Sequence, residues 1–133
     1  MRFQIVNPES LGQPSGWNNG LLAPATGRLL FVAGQDARDA SGHVPDVGFV
    51  EQFGRCLDSI LTVVREAGGE AEDIARMTVY VTDMATYRAS LKPLGRAYRE
   101  RMGRHYPAMA LVEVKSLVEK NALVEIEATA VVT

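Results

Sequence analysis

Two stretches near the C-terminus carry the clearest hydrophobic pattern in the chain. His105 to Val114 and Leu123 to Ala128 both read as strands. In the second, Glu125 and Glu127 stand on one face against an unbroken apolar row on the other. A carboxylate on a strand of this kind is costly unless something uses it. Upstream, Phe3 and Ile5 alternate with polar neighbours and predict a short first strand. Residues 7–19 are rich in Pro, Gly, Ser and Asn and predict an ordered loop carrying Trp17. Gly20 to Ala25 and Arg28 to Ala33 flank Thr26-Gly27, which predicts a hairpin between them. Residues 34–48 read as a polar connection broken by Gly42 and Pro45.

From about Asp46, the apolar positions Phe49, Val50, Phe53, Cys56, Leu57, Ile60, Leu61, Val64 and Ala67 recur at intervals of three and four. They predict a long amphipathic helix that Gly68-Gly69 closes. Ala75 to Val81 predicts a strand. Thr82 or Asp83 caps a second helix reaching about Arg101, with a kink or late restart at Pro93. The order is β-β-β-α-β-α-β-β, an α+β domain with one sheet and two helices packed on one face. Residues 1–133 form a single domain, with no repeat or linker. Leu30 and Val32 share one face of their strand, and Leu29 and Phe31 the other. Two helices cover only one face, so other copies of the chain are expected to cover the second.

Composition narrows the function classes. The chain has 133 residues, 47% hydrophobic and 23% charged, and a net charge of -2. It carries no basic run, so no nucleic-acid partner is expected. One cysteine, Cys56, excludes an internal disulfide and reads as a buried inert thiol. His43 and His105 do not make a zinc-type cluster or a catalytic triad, so no metal is expected. His105 reads as a structural turn residue. No signal segment and no membrane span are evident, which makes a cytoplasmic location the expectation. No G-x-G-x-x-G, P-loop or H-E-x-x-H occurs, and no cofactor is expected.

Several segments, taken in order, resemble one family. They are Phe31-Val32-Ala33-Gly34-Gln35, Glu51-Gln52-Phe53, Leu57 to Val64, Ala67-Gly68-Gly69, Thr78-Val79-Tyr80-Val81-Thr82-Asp83, Tyr106-Pro107-Ala108 and Leu123 to Ala128. Together they are similar to the RidA/YjgF family of reactive-intermediate (enamine/imine) deaminases, over nearly the whole chain from Trp17 onward. The resemblance implies a chorismate-mutase-like fold, a homotrimer, and small-molecule pockets in the clefts between subunits. It implies a catalytic or water-positioning role for Glu125. It also implies ligand contacts from the backbone at Gly34 and Ala108, and an aromatic wall at Trp17.

The chain departs from the family pattern at Met109. In the deaminating members an arginine there grips the substrate carboxylate, a task suited to a planar guanidinium. Methionine offers only a flexible apolar surface. A ligand less acidic or more apolar than a short 2-imino acid is therefore expected, with Arg104 and Lys115 as candidate replacement cations. Three functions are consistent with the pattern: an enamine/imine hydrolase, a non-catalytic metabolite-binding or regulatory oligomer, and a ribonuclease or translation inhibitor. The acidic balance counts against the last. From alternation alone, Glu125 and Glu127 also read as solvent-facing or interface-pairing carboxylates.

Overall fold

A continuous apolar row has to be buried on both flanks to be worth its place, and the C-terminal strand obtains this by lying inside the sheet. The computed structural model describes residues 2–133. Four strands, β3 (Arg28–Gln35), β4 (Ile74–Val81), β5 (Ala108–Glu113) and β6 (Val124–Val132), form the main sheet in the order β3-β6-β4-β5. Strand β6 is antiparallel to both neighbours, and β4 and β5 are parallel. A parallel pair needs a long crossover, and the helical segment between β4 and β5 supplies it.

Helix α1 (Phe49–Glu66) packs on β3 and β6. Its buried face holds seven of the nine apolar positions named above together with Gln52, while Val50 and Ala67 are half-buried. Gly68, at φ 87°, accepts the left-handed turn after the helix. The second helical segment is divided into α2 (Met84–Ala89) and α3 (Leu91–Met102), with Ser90 between them. Pro93 falls in the first turn of α3, where its missing N–H has no helical acceptor to lose. The predicted restart is thus the observed one. The Asp83 carboxylate caps α2 by accepting from the backbone N–H groups of Ala85 and Thr86.

One local expectation is corrected. Thr26-Gly27 does not join a hairpin. Strand β2 (Gly20–Leu22) pairs antiparallel with β1 (Gln4–Val6) in a separate two-stranded ribbon, and β3 pairs with β6. The eight residues of β3 gain a long ladder from the nine of β6, whereas β2 offers only three. The distant partner therefore wins over the adjacent one.

The two sheet faces differ sharply. Met77, Val79, Ile126, Ala128, Ala130 and Val32 lie buried beneath the helices. On the opposite face Leu29 is 64% and Phe31 74% exposed. Thr78, Tyr80, Glu125 and Glu127 share this open side, with the Tyr80 hydroxyl donating to Glu127 Oε2 at 2.6 Å. Among the described residues no helix is long and apolar enough to cross a membrane.

Candidate functional site

The predicted site begins at an irregularity in β3. Between the pairs Val32–Ala128 and Gln35–Ile126, β3 advances three residues while β6 advances two. The extra residue makes a bulge, which bends a strand and re-aims the side chains beyond it. Here it presses the backbone of Gly34 against Glu125. A Cβ added at Gly34 would stand 2.4 Å from Glu125 Oε2 and 2.9 Å from Cδ. Only glycine leaves room for the carboxylate where it lies.

Beyond the bulge the chain turns inward. Asp36 is 4% exposed, and its carboxylate accepts from Arg38 Nε at 2.8 Å, Nη2 at 2.9 Å and the backbone N–H at 3.1 Å. Those charge-assisted bonds hold Asp36 below the usual carboxylate range against the opposing effect of burial. Glu125 is shifted the other way. Burial raises its pKa first, and the negative charges of Asp36 and Glu127 add to this, while Arg38 partly offsets them. Glu119 approaches the same guanidinium at 3.9 Å. The Cys56 thiol, fully buried beneath β6, is pushed up to about 12 by burial and is inert.

The signs for stability are opposite. Asp36 contributes stability that is present above its ordinary pKa and lost as pH falls through its depressed folded value. The contribution of Glu125 is full below its ordinary pKa and lost as pH rises through its elevated folded value. Arg38→Gln keeps a donor for Asp36 and removes the charge. It is expected to raise the Glu125 pKa further. A carboxyl-carbon NMR titration of Glu125 checks this; a midpoint that stays put or falls would show that Arg38 does not act on it.

The other predicted residues lie elsewhere in the protomer. Trp17 is exposed in the loop before β2. Its neighbour Asn18 donates its backbone N–H to the Pro107 carbonyl at 3.2 Å and its amide to the Tyr106 carbonyl at 2.6 Å, and bridges Ala108. Trp17 and Ala108 are thereby held at the same end of β5. Ala108 pairs with Arg76, and Met109 with Met77. Met109 consequently points to the helix-covered face, half-buried against the core, and not to the face of Glu125. Within one protomer Gly34 meets Glu125 on one side of β4, while Trp17, Ala108 and Met109 gather on the other. Arg104 lines a separate cavity beside the β1–β2 ribbon, and Lys115 is exposed after β5.

Three contributors, Asp36, Arg38 and Gln52, are not evident from the sequence pattern. Asp36 and Arg38 looked like loop polarity. Gln52 is 1% exposed, gives its amide to the Val47 and Asn121 carbonyls, and accepts from Leu123 N–H at 2.9 Å. It fastens the loop that delivers Glu125. The legible signal was a glutamine among the apolar positions of α1, because a buried amide is kept only when fully bonded.

The chain and its fold have counterparts among known proteins. Residues 14–132 match the family model described as Endoribonuclease L-PSP. The Rid protein family member YyfB of Yersinia pestis superposes with a TM-score of 0.86 at 28% identity, covering 99% of this chain and 100% of that one. The chain belongs to the RidA/YjgF family. A RutC family protein of Pyrococcus abyssi is 33% identical over 131 residues, 98% of each chain. The family also includes the 2-iminobutanoate/2-iminopropanoate deaminase of Capra hircus, 30% identical over 105 residues, 78% of this chain and 73% of that one. The RidA/YjgF fold expected from the ordered motifs is the observed fold.

Proposed function

We propose that this family member is a homotrimer with a small-molecule site at each subunit seam. Gly34 and Glu125 of one protomer face the Trp17, Ala108 and Met109 end of the next, and the site hydrolyses imines or enamines. The observation that carries the reading is the glycine-to-carboxylate contact at the β3 bulge. It fixes a carboxylate of raised pKa against bare backbone, the arrangement needed to hold a water and pass its proton. Two separate half-sites on one protomer, and an uncovered apolar sheet face, agree with completion by a second copy.

The chemistry balances without a cofactor. Water adds to the C=N carbon while the Glu125 carboxylate takes one of its protons and delivers it to the imine nitrogen, giving the neutral carbinolamine. The carboxylate then takes the hydroxyl proton as the carbonyl forms. Glu125 hands that second proton to the departing nitrogen, which leaves as ammonia, and the carboxylate ends unchanged. Met109, turned toward the core, offers no grip on a substrate carboxylate. Uncharged or apolar imines are therefore preferred over short 2-imino acids.

The test couples a flavin amine oxidase, which generates imines without a carboxylate, to ammonia release, and runs 2-imino acids from an amino-acid oxidase beside it as the disfavoured class. The protein is expected to accelerate release, and Glu125→Gln to reduce the acceleration about 100-fold or more while keeping the fold. Full activity in a folded Glu125→Gln variant would remove Glu125 from the chemistry. A second reading, a metabolite-binding oligomer without catalysis, is favoured by the same Met109. It is the outcome if ammonia release is unaffected across a panel of imines while ligand binding still depends on Glu125.

A further inference from the structure

A cavity in the protomer lies away from Glu125. Its volume is about 410 Å³, within the range of roughly 300–1,000 Å³ usual for small-molecule sites. It opens between the β1–β2 ribbon and the turn that leads into β5. Phe3, Ile5, Leu21 and Tyr106 give it apolar walls, and Arg104, His105 and Glu72 are its polar groups.

Two of those groups are poised for a ligand. His105 Nε2 lies 2.7 Å from the Ile74 carbonyl oxygen. A carbonyl only accepts, so Nε2 carries the hydrogen, and in the neutral ring Nδ1 is left as an acceptor. Nδ1 has no partner among the described residues, and no buried side-chain nitrogen or oxygen lacks one, so Nδ1 opens to accessible space. The imidazole is held in place by stacking on buried Phe3, with centroids 6.2 Å apart. Arg104 is exposed and forms no ion pair among the described residues. Arg2, also in the wall, is already committed to Asp73 and Glu70. Glu72 adds negative charge at the rim.

An acceptor nitrogen, a carboxylate, an unpaired guanidinium and an apolar wall lining one cavity together specify a zwitterion with an apolar tail. We propose that this cavity binds a free α-amino acid with an apolar side chain. The carboxylate lies on Arg104, the ammonium on His105 Nδ1 and the Glu72 side, and the side chain along Phe3, Ile5 and Leu21. The site is complete within one chain and does not depend on the seam site. It does share a wall with it. Asn18 lines the cavity and is tied to Tyr106 and Pro107, next to Trp17 and Ala108.

Trp17 is the only tryptophan, so its fluorescence reports on that wall. The test titrates the full-length protein with L-leucine, with 4-methylpentanoate, which lacks the amine, and with 3-methylbutylamine, which lacks the carboxylate. Calorimetry and Trp17 emission are read together. Leucine is expected to bind saturably and shift the emission, and each truncated analogue to bind at least about tenfold more weakly. Arg104→Ala is expected to weaken leucine by about tenfold or more. The bulky variant Ile5→Trp, at a half-exposed position, fills the cavity; read by calorimetry, it is expected to abolish binding. Glu125→Gln is expected to leave the leucine affinity unchanged. Absence of heat up to millimolar leucine, equal binding of either analogue, or loss of binding in Glu125→Gln would each overturn the assignment. The last of these would transfer the ligand to the seam site.

Discussion

Gly34→Ala is expected to leave the fold standing and cut turnover about 100-fold. The new methyl group would arrive 2.4 Å from Glu125 Oε2 and 3.2 Å from its Cγ, too near for real contact. The obstructing atoms are the far end of a flexible side chain, so the carboxylate moves and the backbone does not. The residue is exposed and has no positive φ, so alanine brings no backbone strain. Stability should stay within about 1 kcal/mol of the parent. Catalysis is less forgiving, because a misplacement of about 1 Å can cost a hundredfold. Thermal melting and ammonia release, measured on the same sample, check both halves. A folded Gly34→Ala with parental turnover, and in the binding reading parental affinity, would show that the carboxylate's position is immaterial.

Phe31→Asp is expected to convert the assembly to monomers that remain folded. Phe31 is 74% exposed in the protomer, so its loss removes almost no internal packing. At a seam it would bury most of that ring, worth about 1.5–3 kcal/mol per protomer, or about 5–9 kcal/mol over three. An aspartate adds the cost of desolvating a charge beside Leu29. Sedimentation at micromolar concentration is expected to give three times the chain mass for the parent and the single-chain mass for Phe31→Asp, with unchanged circular dichroism. Ammonia release should fall with the assembly, because each half-site loses its complement. A parent that sediments as a monomer, or a variant that keeps the parental mass, would defeat the seam.

The sequence made some of this architecture readable and hid the rest for identifiable reasons. Strand β6 was legible because its two faces differ in kind, Glu125 and Glu127 against Val124, Ile126 and Ala128. Helix α1 was legible because nine apolar positions keep its period, seven of them buried. A shared pocket for Gly34 and Glu125 was expected only through the family likeness, and their direct contact was not expected, since nothing local links residues 91 apart in the chain. The hairpin at Thr26-Gly27 was misread because turn chemistry is local and ladder choice is not. The orientation of Met109 was hidden for another reason. Both faces of β5 are apolar, Met109 and Leu111 on one and Ala108, Ala110 and Val112 on the other, so alternation names no inward side. Asp36 and Arg38 were masked by neighbours of similar polarity, and only burial distinguishes them.

The interior place of β6 has a consequence for biogenesis. The ribosome delivers this segment after the other three strands of the sheet, yet it alone joins β3 to β4. Until Val124–Val132 emerges, two hydrogen-bonding edges stand open and the N-terminal half has nothing to zip onto. Native closure of the sheet therefore waits for β6, and a nascent chain stalled before residue 124 is a candidate for chaperone capture or aggregation.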